Sequence, residues 1–404
     1  MHEPTGGTEN GSEDLTGSQE LTGSEDLTSA VEAILPLVAE HADWANEHRR
    51  PHPEVFAALA GAGLLRLIAP VAYGGKGIGP GPFLAMIETL ARVDGSTAWT
   101  AMTLNEEVGI ASSYLPPDTM TELLGDRPDT IVAGAGLPIG RATRVDGGWR
   151  IEGRWSFVSG VPVADRVIVG SWIDREHSPA SRRACFTLIP ADDVTIVDTW
   201  HTAGLRGTGS NDVIVDGVVV PDRWAGVTDF RGPTGPNAPY YRLPSGLRFP
   251  WPKVGVATGI AEAALDEFRR LAGAKRSSYP PRLLAERPDA QAAMARAEAL
   301  VGAGRAWAAS LADEIWADAE RSEPIGPELH ARARLAAATA VDGAIGAVET
   351  LASAAGTTAS RLDGPWPRLL ADVRSVGQHF MVGPQQIQTA GRVLLGLRPD
   401  DPAF

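Results

Sequence analysis

Cysteine is almost absent, with Cys185 the single example in 404 residues. That excludes an internal disulfide framework and any cysteine-based metal cluster. Cys185 lies in the strand-like run ACFTLI, where a small buried hydrophobe is expected. Basic residues are in the minority, 36 Lys and Arg against 50 Asp and Glu, for a net charge of −14. No electropositive field is available to hold a phosphate backbone, so nucleic acid is not an expected partner. No apolar run approaches the length that spans a bilayer, and no membrane is expected. The N-terminus is acidic and lacks the apolar core of a signal peptide, which points to a cytoplasmic protein. The eight histidines show no pairing at a metal-binding spacing such as HExxH, and no metal is expected. A GxGxxG turn between a strand and a helix is also missing, so the chain is not expected to bind a nicotinamide itself.

What is present is ordinary globular material, 44% hydrophobic and 21% charged, in a chain long enough for two or three domains. Residues 1–28 repeat LTGS and EDLT in an acidic, glycine- and serine-rich context, and are expected to form a disordered tail. From 29 to 127 apolar residues recur at three-to-four spacing, with helices expected over about 30–50, 53–67, 83–93 and 97–115. The last of these, TAWTAMTLNEEVGIASSYL, is apolar almost all round and reads as a buried helix in which Asn105 is the conspicuous polar residue. From 128 to 235 the period changes to two. Seven short strands are expected, at 130–135, 141–145, 149–157, 166–173, 184–189, 194–198 and 212–220, as a small β-barrel or sandwich. From 236 to 404 long alanine-rich helices return, expected at 254–271, 288–319, 327–355 and 369–382, the composition of a packed bundle with an oligomer interface.

Between Thr199 and Trp224 the sequence TWHTAGLRGTGSNDVIVDGVVVPDRW joins a glycine turn (Gly204, Gly207, Gly209) to an alternating strand. Glycine allows backbone conformations and close approaches that a side chain forbids, so a ligand can lie against this turn. A tight hairpin is the simpler reading of the turn alone.

The order helical, β, helical carries EVFAALAGAGLLRLIAPVAYGG, GSTAWTAM, GRWSFVSGVPVADRVIVG, GLRGTGSNDVIVDGVVVP and ADVRSVGQHFMVGPQQIQTAGRVLLG. Over about residues 30–398 this resembles the acyl-CoA dehydrogenase superfamily, and within it the reductase-dependent, two-component (group D) flavin monooxygenases. The resemblance implies an α+β, mainly α fold: an N-terminal helical domain, a middle β-domain and a C-terminal four-helix bundle. It also implies a homotetramer, with flavin between the β-domain and the bundle and a neighbouring subunit helping to bind it. Three departures favour oxygenation over desaturation. The late helix where many dehydrogenases carry a glutamate base reads ADVRSVGQHFMVGP, with His379 and Phe380. The Thr- and Glu-rich flavin strand is replaced by VAGAGLPIGRA, and SAAGTTASRL stands where the adenine half of FAD is usually held.

The activity implied is that of a flavin-dependent monooxygenase. It takes reduced FMN or FAD from a separate NAD(P)H:flavin reductase, and uses O2 through a C4a-hydroperoxide to hydroxylate or N-oxidise a small molecule. The substrate class implied is aromatic, polycyclic or amino-sugar, as in antibiotic and other natural-product biosynthesis. Alternatives are an acyl-CoA dehydrogenase with tightly bound FAD and a non-catalytic oligomeric binding relative. Carried onto this sequence, the resemblance makes Ser159 the hydrogen-bond donor beside flavin N5, with Phe157, two residues earlier on the same side, near the ring. A serine closing a strand turn is the other reading of Ser159. His379 becomes the acid/base group, since imidazole titrates near neutrality. Asn105 falls where the branch places a polar residue facing the site, and reads equally as a satisfied core amide. Trp200 and Ser210 become isoalloxazine and phosphate contacts. Arg276, with Lys275 as the alternative, becomes the arginine that reaches a flavin phosphate.

Overall fold

The computed structural model describes residues 24–173, 183–230, 235–276 and 281–400. Most of the expected acidic tail lies outside these residues, but its last part does not: the first helix begins at Ser24.

The N-terminal region comprises α1 (Ser24–His48), α2 (Pro53–Gly61), α3 (Pro80–Ala91), α4 (Gly95–Tyr114) and the short α5 (Pro117–Thr121). Pro51 stops α1, and α2 and α3 each start on a proline, whose missing N–H costs nothing at a first helical position. Asp94 caps α4 by accepting the Thr97 N–H at 2.8 Å. Helix α2 is shorter than its apolar pattern predicts. The chain leaves it at Gly61, and residues 62–70 form a buried irregular segment that takes its hydrogen bonds elsewhere.

A single mixed sheet follows, built from β1 (Val132–Val145), β2 (Gly148–Val158), β3 (Arg166–Ile173), β4 (Arg183–Pro190), β5 (Thr195–Val197), β6 (Asn211–Pro221) and β7 (Ala225–Thr228). Their spatial order is β5-β6-β2-β1-β3-β4-β7, and only the β1–β3 pair is parallel. Two of the expected strands are one: β1 runs through 132–145 with a pairing irregularity between Ala135 and Gly140, where Gly136, Pro138 and Gly140 broke the sequence alternation. Strand β7 was not anticipated, because four residues are too few to show a period. Cys185 is fully buried in β4, and burial pushes its thiol up to about 12, so it is a core residue and not a nucleophile.

The C-terminal region opens with two single turns, α6 (Pro239–Arg242) and α7 (Ser245–Arg248). The long helices α8 (Pro250–Ala274), α9 (Pro288–Arg321) and α10 (Pro327–Ala355) follow, and α11 (Trp366–Val376) and α12 (Pro384–Leu394) close the bundle. Helix α8 is the shared wall: it packs on α9 and α10 behind and on α3 in front. A Cβ at Gly259 would stand 2.4 Å from the Glu88 carbonyl oxygen of α3, so glycine is what lets these helices approach. By length and composition, Pro327–Ser360 is apolar enough to cross a membrane, contrary to the sequence expectation, because alanine dominates it. More than half of its most apolar window, 56%, is buried inside the protein.

Candidate active site

The end of β2 leaves regular strand geometry. Phe157 has a left-handed backbone (φ 63°), and so does Gly160 (φ 79°). A non-glycine residue in that region costs on the order of 1 kcal/mol, so the contacts around it must hold it there. One such contact is the Gly160 N–H donating to the Thr208 carbonyl at 2.9 Å, which stitches β2 to the glycine turn. The kink breaks the alternation: Phe157 is 72% exposed, whereas Ser159 is 6% exposed. The expectation that the two share a strand face is therefore corrected.

The turn itself is a short 3-10 segment, Arg206–Thr208, between left-handed Leu205 (φ 51°) and Gly209 (φ 55°). The Leu205 N–H donates to Asp372 Oδ1 of α11 at 2.6 Å, and its carbonyl accepts from Trp200 Nε1 at 2.9 Å and Thr208 Oγ1 at 2.8 Å. Gly204 lies flat on α11, where a Cβ would come within 2.1 Å of the Ala371 carbonyl oxygen. Just past the end of α1, left-handed Arg49 grips both Asp198 oxygens and the Trp200 carbonyl.

Inside this frame three hydroxyls line up. Ser159 Oγ is 2.7 Å from Ser210 Oγ, which is 2.6 Å from Thr208 Oγ1. Trp99 of α4 donates its indole N–H to Ser159 Oγ at 3.3 Å. The edge of the Trp99 ring also meets His379, with centroids 5.7 Å apart, and His379 packs on Phe380 at 4.8 Å. Helix α11 ends at Val376, so His379 sits in the turn before α12 and not within the late helix that was expected. Its Nδ1 accepts the Met381 N–H at 3.3 Å, which places the proton of the neutral ring on Nε2. Burial, reinforced by the Lys253 charge, pushes the imidazole well below its ordinary value, so the ring is neutral at physiological pH.

Only one stripe of α4 is left partly exposed: Trp99, Thr103, Glu106, Ile110 and Tyr114, all on one helix face. Glu106 is bound by the buried Lys253 ammonium of α8 at 2.7 and 2.9 Å, and Lys253 spends its third hydrogen on the Phe249 carbonyl. Glu107, one residue on and buried, is pushed up to about 8 by burial and by Glu106, and is neutral at pH 7.

Of the expected site residues, the structure brings Ser159, Ser210 and His379 together around Trp99. Phe157 and Trp200 lie beside them as an edge-to-face pair 6.2 Å apart. Ser210 is 3% exposed and hydrogen-bonded to two other hydroxyls, so it stands behind Ser159 and not at the surface where a phosphate contact was expected. Asn105 lies off the exposed stripe and is fully buried. Its oxygen accepts the Leu67 N–H at 2.7 Å, and its amide donates to the Leu64 and Ala101 carbonyls at 2.8 and 2.9 Å. It is the partner of the irregular 62–70 segment, and the catalytic role is withdrawn in favour of the core amide. Asn105→Ala should lower stability by about 2–4 kcal/mol, because it orphans buried backbone groups. Urea unfolding measures this, with flavin affinity of the folded fraction unchanged.

Lys275 is committed, its ammonium closing the end of α10 on the Ala355 carbonyl (2.6 Å) and Thr358 Oγ1 (2.8 Å). Arg276, just beyond α8, is exposed. Some 22 residues of helix separate it from Lys253, roughly 30 Å at 1.5 Å per residue. The sequence reading missed Trp99, the Glu106–Lys253 pair and Asp372. Only Trp99 carried a signal, as the aromatic residue of GSTAWTAM.

The geometry gathers aromatic rings, a hydroxyl and a neutral imidazole around Trp99. Residues 27–114 match the family Acyl-CoA dehydrogenase, N-terminal domain, and 253–384 match Acyl-CoA dehydrogenase, C-terminal domain. The indole-3-acetate monooxygenase of Pseudomonas putida is 33% identical over 373 residues, 92% of this chain and 94% of its own length. The chain belongs to the acyl-CoA dehydrogenase superfamily, in its two-component flavin monooxygenase branch. A flavin-dependent monooxygenase oxygenase subunit, HsaA of Mycobacterium tuberculosis, is 28% identical over 92% of this chain and 96% of its own. The crystal structure of 3-HSA hydroxylase from Rhodococcus sp. RHA1 superposes with a TM-score of 0.83 at 26% identity, covering 94% of this chain and 99% of that one. This superfamily member is therefore an oxidoreductase, an oxygenase component that uses reduced flavin and O2.

Proposed function

We propose that this oxygenase hydroxylates a small aromatic or polycyclic metabolite in the cleft between the α4 stripe, the end of β2 and the His379 turn. The observation that carries the reading is that Ser159 and His379 both contact the Trp99 indole. Bound reduced flavin supplies the electrons that activate oxygen. Phe157 and Trp200 give its ring apolar surface, Ser159 gives it a hydroxyl, and His379 offers an N–H from Nε2 to an oxygen or a substrate hydroxyl. Burial of these polar groups strengthens each contact by lowering the local dielectric. An aromatic lining of Trp99, Phe157, Trp200 and Phe380 favours an aromatic substrate over an amino-sugar. Indole-3-acetate, from the name of one relative, and resorcinol, from that of another, are fitting first probes. The enzyme receives its flavin from an NAD(P)H:flavin reductase and works in the cytoplasm as a homotetramer, with Arg276 serving the flavin phosphate of a neighbouring copy. A place in natural-product metabolism is the pathway reading.

The test mixes the protein anaerobically with dithionite-reduced FMN or FAD, then with O2, in a stopped-flow spectrometer. An oxygen-dependent absorbance transient, shortened at least tenfold in Ser159→Ala, is the expected result. Immediate reoxidation at the rate of free flavin overturns it, as does purified yellow protein bleached by an acyl-CoA, which establishes the dehydrogenase.

A further inference from the structure

The three-hydroxyl chain has a property that a single serine lacks. Thr208 Oγ1 donates to the Leu205 carbonyl at 2.8 Å. Its own oxygen must then accept from Ser210, 2.6 Å away, and Ser210 in turn must accept from Ser159, 2.7 Å away. In this polarity the Ser159 proton points inward. Its oxygen already takes the Trp99 N–H, and the remaining lone pair makes Ser159 an acceptor towards the cleft. Rotating all three hydroxyls reverses the chain: Thr208 donates to Ser210, Ser210 to Ser159, and the Ser159 proton points outward. Nothing is orphaned by the reversal, because the Leu205 carbonyl keeps the Trp200 indole N–H at 2.9 Å. Thr208 is fully buried and Ser210 is 3% exposed, so water does not compete for either hydroxyl.

We infer that Thr208 and Ser210 are positioning residues that switch Ser159 between acceptor and donor to match the redox state of the bound flavin. This rests on the reading of Ser159 as the hydroxyl facing flavin N5. That nitrogen carries a hydrogen in reduced flavin and a bare lone pair in oxidised flavin, so one fixed hydroxyl polarity suits only one form. A chain that inverts at the cost of three hydroxyl rotations suits both. An oxygenase that must accept reduced flavin and release oxidised flavin needs both.

Thr208→Val removes the inner acceptor while preserving shape. Ser210 then has only Ser159 to donate to, and Ser159 is held as an outward donor, the match for oxidised flavin. The experiment measures dissociation constants for oxidised FMN and FAD and, anaerobically, for their dithionite-reduced forms, by fluorescence titration and ultrafiltration. In Thr208→Val the ratio Kd(reduced)/Kd(oxidised) should rise about five- to tenfold over wild type, the span of one hydrogen bond. Thr208→Ser, which restores the hydroxyl, should return the wild-type ratio. Ser210→Ala, which frees Ser159 to rotate, should shift it less than Thr208→Val. Unchanged thermal melts would show that the variants fold. A ratio within twofold of wild type in Thr208→Val, with both flavin forms bound, overturns the switch and leaves the oxygenase reading standing. Failure of wild type to bind either flavin in either redox state overturns both.

Discussion

His379→Ala is expected to lower product formed per flavin oxidised by about a hundredfold, the usual worth of a positioned proton donor. Binding of oxidised flavin should stay within a few-fold of wild type. The Met381 amide fixes the tautomer, so the group offered to the cleft is an Nε2–H, and His379→Gln, which can present an amide N–H, should recover part of the loss. The pH dependence follows from the direction of the imidazole shift. Burial and Lys253 hold the ring neutral below the ordinary histidine range, so its contribution should not titrate between pH 6.5 and 8. Acidification should protonate Nδ1, break the Met381 hydrogen bond and place a cation beside Lys253. The unfolded chain binds this proton more readily than the folded one, so stability should fall as pH drops below about 6.5. A wild-type activity limb between pH 6.5 and 8 that disappears in His379→Gln would refute the neutral-donor role.

The second large effect is at Asp372, which holds the strained Leu205 N–H from α11 and shares Arg368 with the α4 cap, Asp94. Asp372→Ala should destabilise the protein by about 3–5 kcal/mol, because it leaves a buried N–H unpaired and weakens the balance around the half-buried Arg368 guanidinium. Flavin binding should disappear with the turn. Asp372→Asn should behave differently. Burial, with Asp94 adding, pushes the Asp372 carboxyl up to about 7, against the Leu205 amide and Arg368. A raised acid binds its proton more tightly folded than unfolded. Its stabilisation is therefore present below the unfolded value near 4, declines as pH rises, and is exhausted above pH 7, over a span on the order of 3–4 kcal/mol. Asn keeps an oxygen for Leu205 and removes the titration. The difference in melting temperature between pH 5 and pH 8 should accordingly shrink in Asp372→Asn. An equal difference in both proteins would mean that Asp372 ionises without cost.

The legible parts of this molecule were those written in local pattern. Alanine-rich periodicity with a proline at each start defined α9 and α10 to within two residues at either end, and the glycine turn marked where two elements would meet. The expected Ser159 and His379 do stand at one place. The losses had particular causes. The strand alternation that placed Phe157 with Ser159 assumes an extended backbone, and the positive φ at Phe157 cannot be read from the letters WSFVSG. Ser210 looked like a ligand contact because it sits in a glycine turn, but its partners come from residues 51 and 2 positions away, and only the first is a matter of folding. Asp372 and the Lys253–Glu106 pair gave no signal. A charge inside an amphipathic helix normally faces water, and their partners lie 167 and 147 residues distant.

The length of α8 has a consequence for how tightly flavin is held. Helix α8 places Arg276 and the Lys253 end roughly 30 Å apart. In the proposed assembly, where Arg276 serves the flavin of a neighbouring copy, occupancy and subunit association become linked quantities. Each strengthens the other by the same factor, and apparent affinity for flavin rises with protein concentration.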